Sequence, residues 1–264
     1  MVEQIATLYE RNTMTVFTCA PDLDAILTCI YTAWNSGLGH NNIRLETEPT
    51  EQYEMFTEYI HVDPDSEKAV KVMNTIKDRI SPALYFNLAY CSMSCEKDVA
   101  DNIYRVIILG FMFGKNVMEH TEYRDIFRNI EIRKKVGSEA CHFKEFVRFH
   151  QTKGNIYVAH IEPKSRIIPA LGLDFSDRMP SENWMIVDDT HKEAAVHYKD
   201  ESYYIQKLTD DEYIKLLQTE KENDEYTDLW KLFYDTIAIK ERANEKCRQN
   251  LFPLWKRKHA VEFM

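Results

Sequence analysis

The hydrophobic pattern of the chain changes its period near residue 150, and this change constrains the fold more than any other feature of the sequence. Before that point, apolar residues recur at spacings of three and four, which is typical of amphipathic helices. After it, apolar and polar residues alternate in short segments, which is typical of strands. Helical spacing then returns, so the pattern predicts a helix-rich α+β fold with a small antiparallel β-sheet in the third quarter. The alternating segments are residues 155–161, 184–187, 194–198 and 203–206.

We predict one composite α+β domain over residues 1–264, because the sequence contains no internal repeat and no low-complexity linker. The alternative is a subdivision into a mainly helical part, residues 1–150, and a part with the sheet and C-terminal helices, residues 151–264. The first part also contains short extended segments, near residues 13–18, 44–46 and 58–62.

Charge restricts the partners that the chain can bind. With 33 Lys and Arg against 43 Asp and Glu, the formal net charge is −10, so any contact with nucleic acid must come from a local basic patch. Two regions are basic: residues 124–168 carry 10 basic and 5 acidic side chains, and residues 231–264 carry 8 and 4. If the two regions meet in space, they form a surface that can bind phosphate groups. The alternative is that the basic side chains lie on helix faces that contact only solvent.

The absence of several common motifs from the sequence disfavours several classes of protein. Its 7 glycines form neither GxGxxG nor GxxxxGK[ST], so common nucleotide-binding loops are missing. The 6 cysteines are dispersed, which favours reduced thiols, and we predict no cofactor. No segment approaches the roughly eighteen apolar residues of a membrane helix, and the first residues do not resemble a signal peptide. We therefore expect a cytoplasmic protein without membrane contact.

Glu139, His142 and Asp188 are the candidate catalytic residues. Glu139 and His142 lie three apart on a predicted helix, where a carboxylate can orient an imidazole for general-base catalysis or metal binding. A buried histidine bonded to a neighbouring acid is the competing interpretation. Di-iron bundles also use Glu-x-x-His, but they need two copies and the sequence has one. His191 and His197 could join a metal site with Asp188 and Asp189, but two histidines six apart are weak evidence for one, and we expect them to be surface turn residues.

The candidate nucleic-acid-binding residues are basic side chains in the two basic regions. Arginine suits phosphate and carboxylate equally well, so internal ion pairs remain open as the alternative. Two triplets of consecutive basic residues, 133–135 and 256–258, are expected on the surface because such runs are not buried in a protein core. The candidates are Arg133, Lys134, Lys135, Arg148, Lys240, Arg242, Lys256, Arg257 and Lys258.

Three stretches of the sequence resemble a bacterial family described as DNA metabolism or repair proteins and linked to a partner radical-SAM protein. The most specific is LWKLFYDTIAIKERAN at residues 229–244; another is FTCAPDLDAILTCIY at residues 17–31. One departure is Phe143 after His142, where the family often has arginine. The resemblance implies a DNA-related role and a radical-SAM partner, in a module that some relatives fuse to a uracil-DNA glycosylase-like domain. The third stretch comprises segments 139–149, 161–163, 174–178 and 184–188.

Three functions follow from these observations. The leading hypothesis is a nucleic-acid-contacting accessory of DNA metabolism or repair that acts with the radical-SAM partner. The second is an enzyme acting on nucleic acid or nucleotides through a Glu/His/Arg cleft. The third is a protein-interaction scaffold without DNA contact. Basic side chains gathered on one face would favour the first, and arginines buried against acids would favour the third.

Overall fold

The computed structural model describes residues 14–50, 52–152, 154–217, 229–230, 232–233, 236–237 and 244–259. The chain divides into two compact units, residues 1–136 and residues 137–264, and each is described by itself. The predicted mixture of helices and strands is confirmed. No helix among the described residues is long and apolar enough to cross a membrane.

The first unit is built on a three-stranded parallel sheet in the order β2-β1-β3. The central strand is fully buried, and the helix that follows it begins where the Asp22 side chain accepts the backbone N–H of Ala25. Each extended segment expected in this part of the sequence forms a strand. The elements are β1 (Thr15–Cys19), α1 (Leu23–Asn35), β2 (Ile43–Thr47) and β3 (Glu58–His61).

Three further helices complete the core of the first unit; the last of them packs on the sheet, and the other two pack on neighbouring helices. Asp65 and Ser81 begin two of them by accepting backbone N–H groups with their side chains. Gly110 lies where two helices approach closely, because a Cβ there would be 2.7 Å from a methyl carbon of Ile80. The helices are α2 (Ser66–Arg79), α3 (Pro82–Cys91) and α4 (Val99–Phe113). A fifth helix, α5 (Arg124–Phe146), contains the boundary between the units.

The second unit contains a five-stranded sheet in the order β4-β5-β6-β7-β8. The prediction that this sheet is antiparallel is wrong for one pair: β5 and β6 are parallel. The reason is the helix between them, α6, which returns the chain to the same end of the sheet. The other pairs are antiparallel. The elements are β4 (His150–Thr152), β5 (Ile156–Ile161), α6 (Ile168–Arg178), β6 (Asn183–Asp188), β7 (Glu193–His197), β8 (Tyr204–Lys207), α7 (Asp210–Leu217) and α8 (Glu245–Leu251).

The parallel pair places the ends of two strands next to each other. Ile161, the last residue of β5, is opposite Asp188, the last residue of β6. The backbone N–H of Asp189 donates to the carbonyl of Ile161 at 2.9 Å, so the pairing continues one residue beyond β6. Glu162 and Asp189 therefore leave the sheet side by side. The carboxyl ends of parallel strands are a common position for functional side chains.

A candidate carboxylate–histidine site

Two consecutive aspartates at the end of β6 organise two clusters of carboxylates and imidazoles. Successive side chains of an extended chain point to opposite faces, so Asp188 and Asp189 reach different neighbours. We call the first group the Asp188 cluster (Asp188, His191 and Glu193) and the second the Asp189 cluster (Glu162, Asp189 and His259). In each cluster the candidate ligand atoms lie within 4.8 Å of one another.

The Asp188 carboxylate is fully buried and fully hydrogen-bonded. Its Oδ1 accepts the backbone N–H of Thr190 at 2.9 Å and that of His191 at 3.0 Å. Its Oδ2 is 2.6 Å from Nδ1 of the His191 ring. One carboxylate thus holds the turn after β6 and also orients an imidazole.

Glu193 is the second acid of the Asp188 cluster, and an arginine neutralises it. Its Oε2 accepts a hydrogen bond from Nη1 of Arg166 at 3.1 Å, and its side chain is almost completely buried. Burial raises the pKa of the Glu193 carboxyl, and the Arg166 charge offsets part of that rise. The acids of this cluster therefore already have partners within the protein.

The Asp189 cluster has a different hydrogen-bonding pattern. Nε2 of His259 lies 3.5 Å from Oδ2 of Asp189 and 3.7 Å from Oε1 of Glu162. This nitrogen is buried and makes no hydrogen bond within the described part of the chain. Burial lowers the pKa of the His259 imidazole, against the opposing effect of the two carboxylates. Lys258 forms an ion pair with the same Oε1 of Glu162.

A third imidazole supports the Asp189 carboxylate from within the sheet. Nδ1 of His160, on β5, is 2.9 Å from Oδ1 of Asp189. The His160 ring also stacks on the His259 ring, with centroids 6.0 Å apart, and on the His150 ring at 6.2 Å. The two oxygens of Asp189 therefore face two different histidines.

The two basic regions of the sequence meet in the second unit. The ammonium nitrogen of Lys164 lies over the Trp255 ring, 4.9 Å from its centroid, and Trp255 is 38% exposed. We call Lys164, Trp255 and Lys258 the Trp255 surface. Phe146 and Phe252 stack with centroids 3.7 Å apart, which joins the same two regions through apolar contact. Residues of the two basic regions are therefore in contact at these two places.

The three residues that the sequence suggested for catalysis lie on two elements, Glu139 and His142 on α5 and Asp188 at the end of β6. Glu139 accepts the backbone N–H groups of Lys164 at 2.6 Å and Ser165 at 3.3 Å, so it anchors the loop after β5. His142 is half-buried on α5. Within the described ranges, no hydrogen bond or ion pair joins Glu139 to Asp188. Asp188 contacts His191, which lies in the turn after β6 as expected, with a side chain that is 15% exposed.

The basic candidates in the first unit have partners of two kinds. The Arg133 guanidinium lies over the Tyr90 ring at 5.6 Å, and Lys135 forms an ion pair with Glu96 at 2.7 Å. Lys134 is exposed. Lys135 is thus held by an acid, whereas Arg133 and Lys134 keep their charge on the surface.

The basic candidates in the second unit differ in exposure. Arg148 lies over the Trp230 ring, 5.4 Å from its centroid. Arg257 is buried, so the expectation that its triplet is wholly on the surface is wrong at this position; Glu245 and a backbone carbonyl bind its guanidinium. Lys258 is exposed beside Glu162. Lys240, Arg242 and the side chain of Lys256 lie outside the described residues.

Sequence reasoning missed most of the Asp189 cluster. Its only local signals are acidic residues close behind alternating segments: Glu162 directly follows residues 155–161, and Asp189 is the second residue after 184–187. Those signals become a site only if the two strands are parallel neighbours. His259 lies far along the chain and carries no local signal.

Comparison with known proteins gives a family and little else. A family model described as a domain of unknown function, DUF4130, matches residues 97–262, which is more than half of the chain. No curated protein matches the chain. A solved structure titled as the DHH domain of a member of the S1p family of ribosomal proteins is similar at 10% identity, over 74% of this chain and 75% of that chain. Its TM-score is 0.34, so this likeness carries no argument about fold or function.

Proposed function

This chain belongs to the DUF4130 family, a domain of unknown function, and from that premise we propose that it contacts nucleic acid in DNA metabolism or repair. In this role it is an accessory that acts with a radical-SAM partner protein. The resemblance described above supports the DNA context and the partner. The Trp255 surface supports the nucleic-acid contact, and it is the observation on which the proposal rests.

The chemistry of the Trp255 surface suits a single strand. An exposed indole offers a flat face on which an unpaired base can stack, and neighbouring ammonium groups can bind the phosphates on either side of that base. The Lys164 ammonium lies over the indole, so a base that stacks on this face takes its place while the lysine binds the adjacent phosphate; Lys258 is three residues beyond Trp255 in the chain. Because stacked bases in a duplex do not expose their faces, we expect single strands to bind more tightly than duplexes.

Arg148 and Trp230 form a second pair of the same kind. The guanidinium lies 5.4 Å from the Trp230 centroid and 5.8 Å from that of Phe146. Trp230 is exposed. Nη1 of Arg148 also donates to the backbone carbonyls of Glu145 and Val147, so the guanidinium is held in place and its positive charge remains beside the two rings. This pair extends the set of aromatic and basic groups in the second unit.

Acidic neighbours limit the affinity of this surface. Lys258 is paired with Glu162, so a phosphate must compete with a carboxylate for the ammonium group. Such an exposed ion pair contributes only about 0–1 kcal/mol, so the competition is weak at moderate salt. We therefore expect binding that is strongest at low ionic strength and declines steeply as salt is added.

Fluorescence anisotropy with labelled single-stranded and double-stranded oligonucleotides tests the proposal. Base stacking contributes about 1–3 kcal/mol, so Trp255→Leu should weaken single-strand binding by roughly 5-fold to 150-fold. Lys164→Ala should weaken it less. Lys115→Ala, at an exposed lysine of the first unit, is the matched control and should bind like the unaltered protein. A folded protein that shows no binding at low salt would refute the proposal and favour a scaffold.

A second candidate function is catalysis on nucleic acid or nucleotides, and the Asp188–His191 contact favours it. A buried carboxylate that fixes one ring nitrogen leaves the other available as a general base. Turnover of labelled oligonucleotides and nucleotides tests this function, with His191→Gln as the variant and His120→Gln, in the first unit, as the control. Activity that survives His191→Gln would remove this candidate.

A further inference from the structure

We propose that Glu162, Asp189 and His259 bind a divalent transition-metal ion. This site does not depend on the proposed contact with nucleic acid, because it rests on a different set of side chains. It lies at the carboxyl ends of the parallel strands β5 and β6, where two of the three ligands leave the sheet together.

The distances between the three side chains suit coordination better than direct hydrogen bonding. Nε2 of His259 is 3.5 Å from Oδ2 of Asp189 and 3.7 Å from Oε1 of Glu162. Around a tetrahedral zinc ion with bonds of about 2.0–2.1 Å, neighbouring ligand atoms are about 3.3 Å apart. A hydrogen bond would instead require about 2.7–3.2 Å. Small side-chain movements would therefore bring all three donors onto one ion.

The imidazole nitrogen of His259 provides an independent observation. It is buried and makes no hydrogen bond among the described residues, although two carboxylates face it. A buried polar atom without a partner costs about 1–3 kcal/mol. A bound cation would satisfy this nitrogen and would neutralise both carboxylates in one step.

The surroundings of Asp189 resemble the support that protein metal sites give to their ligands. His160 binds Oδ1 of Asp189 at 2.9 Å and leaves Oδ2 directed towards His259. The backbone of Asp189 is fixed by its hydrogen bond to Ile161. Loss of a group that hydrogen-bonds a metal ligand in this way commonly lowers metal affinity by about 10-fold to 100-fold.

The donor set selects the class of ion. An imidazole nitrogen with two carboxylates is typical of zinc and of neighbouring first-row metals, whereas magnesium and calcium prefer oxygen donors alone. Three protein ligands leave a coordination position for water or a substrate. Glu162 and His259 are about 30% exposed, which leaves the cluster open to solvent on one side.

The Asp188 cluster is less suited to bind a cation, because its acids already have partners. Oδ1 of Asp188 accepts two backbone N–H groups, and its Oδ2 is bound to His191. Glu193 is bound to Arg166. A cation would have to displace each of these partners. We therefore assign the ion to the Asp189 cluster alone.

Lys258 competes with the metal ion for the Glu162 carboxylate. It forms an ion pair with Oε1 of Glu162, the oxygen nearest to His259. Metal binding must move this ammonium group away, because two cations do not share one carboxylate oxygen at low cost. Removal of the Lys258 charge should therefore strengthen metal binding, whereas removal of a ligand should weaken it.

Titration of the full-length, metal-free protein with Co²⁺, followed by visible absorption and then by Zn²⁺ competition, tests the site. The unaltered protein should bind one Co²⁺, and Zn²⁺ should displace it. His259→Gln should weaken binding by more than about 100-fold and His160→Gln by about 10-fold to 100-fold. His120→Gln, at a histidine paired with Glu122 in the first unit, should have no effect.

Lys258→Met keeps the test decisive if a ligand variant fails to fold. This variant should bind Co²⁺ several-fold more tightly, and its circular dichroism should match that of the unaltered protein. Absence of Co²⁺ and Zn²⁺ binding by the folded, unaltered protein would overturn the proposal, as would equal affinity in His259→Gln. Lys258→Met should at the same time weaken nucleic-acid binding, so the two proposals can fail separately.

Discussion

Replacement of Asp188 by alanine should destabilise the second unit locally and strongly. The carboxylate is fully buried and accepts three hydrogen bonds, two from backbone N–H groups and one from His191. Each contributes about 1 kcal/mol net, so Asp188→Ala should cost about 3 kcal/mol. Asp188→Asn preserves a carbonyl oxygen for the two backbone groups and should cost about 1 kcal/mol.

Two measurements separate these outcomes. Urea unfolding gives the loss in stability of the whole chain, and hydrogen exchange reports where protection is lost. Exchange should accelerate in the turn between β6 and β7, while peptides from β1 in the first unit serve as an internal control. A loss below about 1 kcal/mol for Asp188→Ala, or equal losses for both variants, would refute the view that this carboxylate holds the turn.

Three further perturbations have definite expected results. Gly110→Ala places a Cβ 2.7 Å from the Ile80 side chain, and overpacking of about 1–3 kcal/mol should exceed the helix-propensity gain of about 1 kcal/mol, which a lowered urea midpoint would reveal. The hydrogen bond from Arg128 holds the pKa of the Asp98 carboxyl below its ordinary value. The ion pair therefore stabilises the fold at pH values above the ordinary pKa of aspartate, and this contribution is lost as the pH falls through the lowered pKa of Asp98. Arg128→Met should therefore reduce the difference in stability between neutral pH and about pH 3, as measured by urea unfolding at each pH. Glu139→Ala removes the acceptor that anchors the loop after β5 and should cost about 1–2 kcal/mol, with faster hydrogen exchange in that loop; unchanged exchange would contradict the anchoring role.

The sequence predicts the elements of this protein better than it predicts how they meet. Strands β5 and β6 alternate clearly, and the helix between them is marked by proline at its first turn. The direction of their pairing depends on the crossover through α6, which periodicity does not encode. An antiparallel pairing would put the ends of β5 and β6 at opposite edges of the sheet, so the predicted sheet does not bring Glu162 and Asp189 together.

The candidate sites show the same limit at the level of side chains. Glu139 and His142 stand out in the sequence because they are three apart on a helix, a spacing that local pattern can detect. His259 and Glu162 are 97 positions apart and meet only through tertiary structure. Lys164 and Trp255 are likewise distant, but their regions could be singled out because basic composition is visible without any knowledge of contacts.

The salt dependence of single-strand binding tests the proposed contact with nucleic acid most directly. Each phosphate contact on a single strand contributes about −0.7 to the slope of log affinity against log salt. Lys164→Ala should make that slope shallower by about 0.7, whereas Lys115→Ala should leave it unchanged. Identical slopes for the unaltered protein and Lys164→Ala would contradict a phosphate contact at the Trp255 surface.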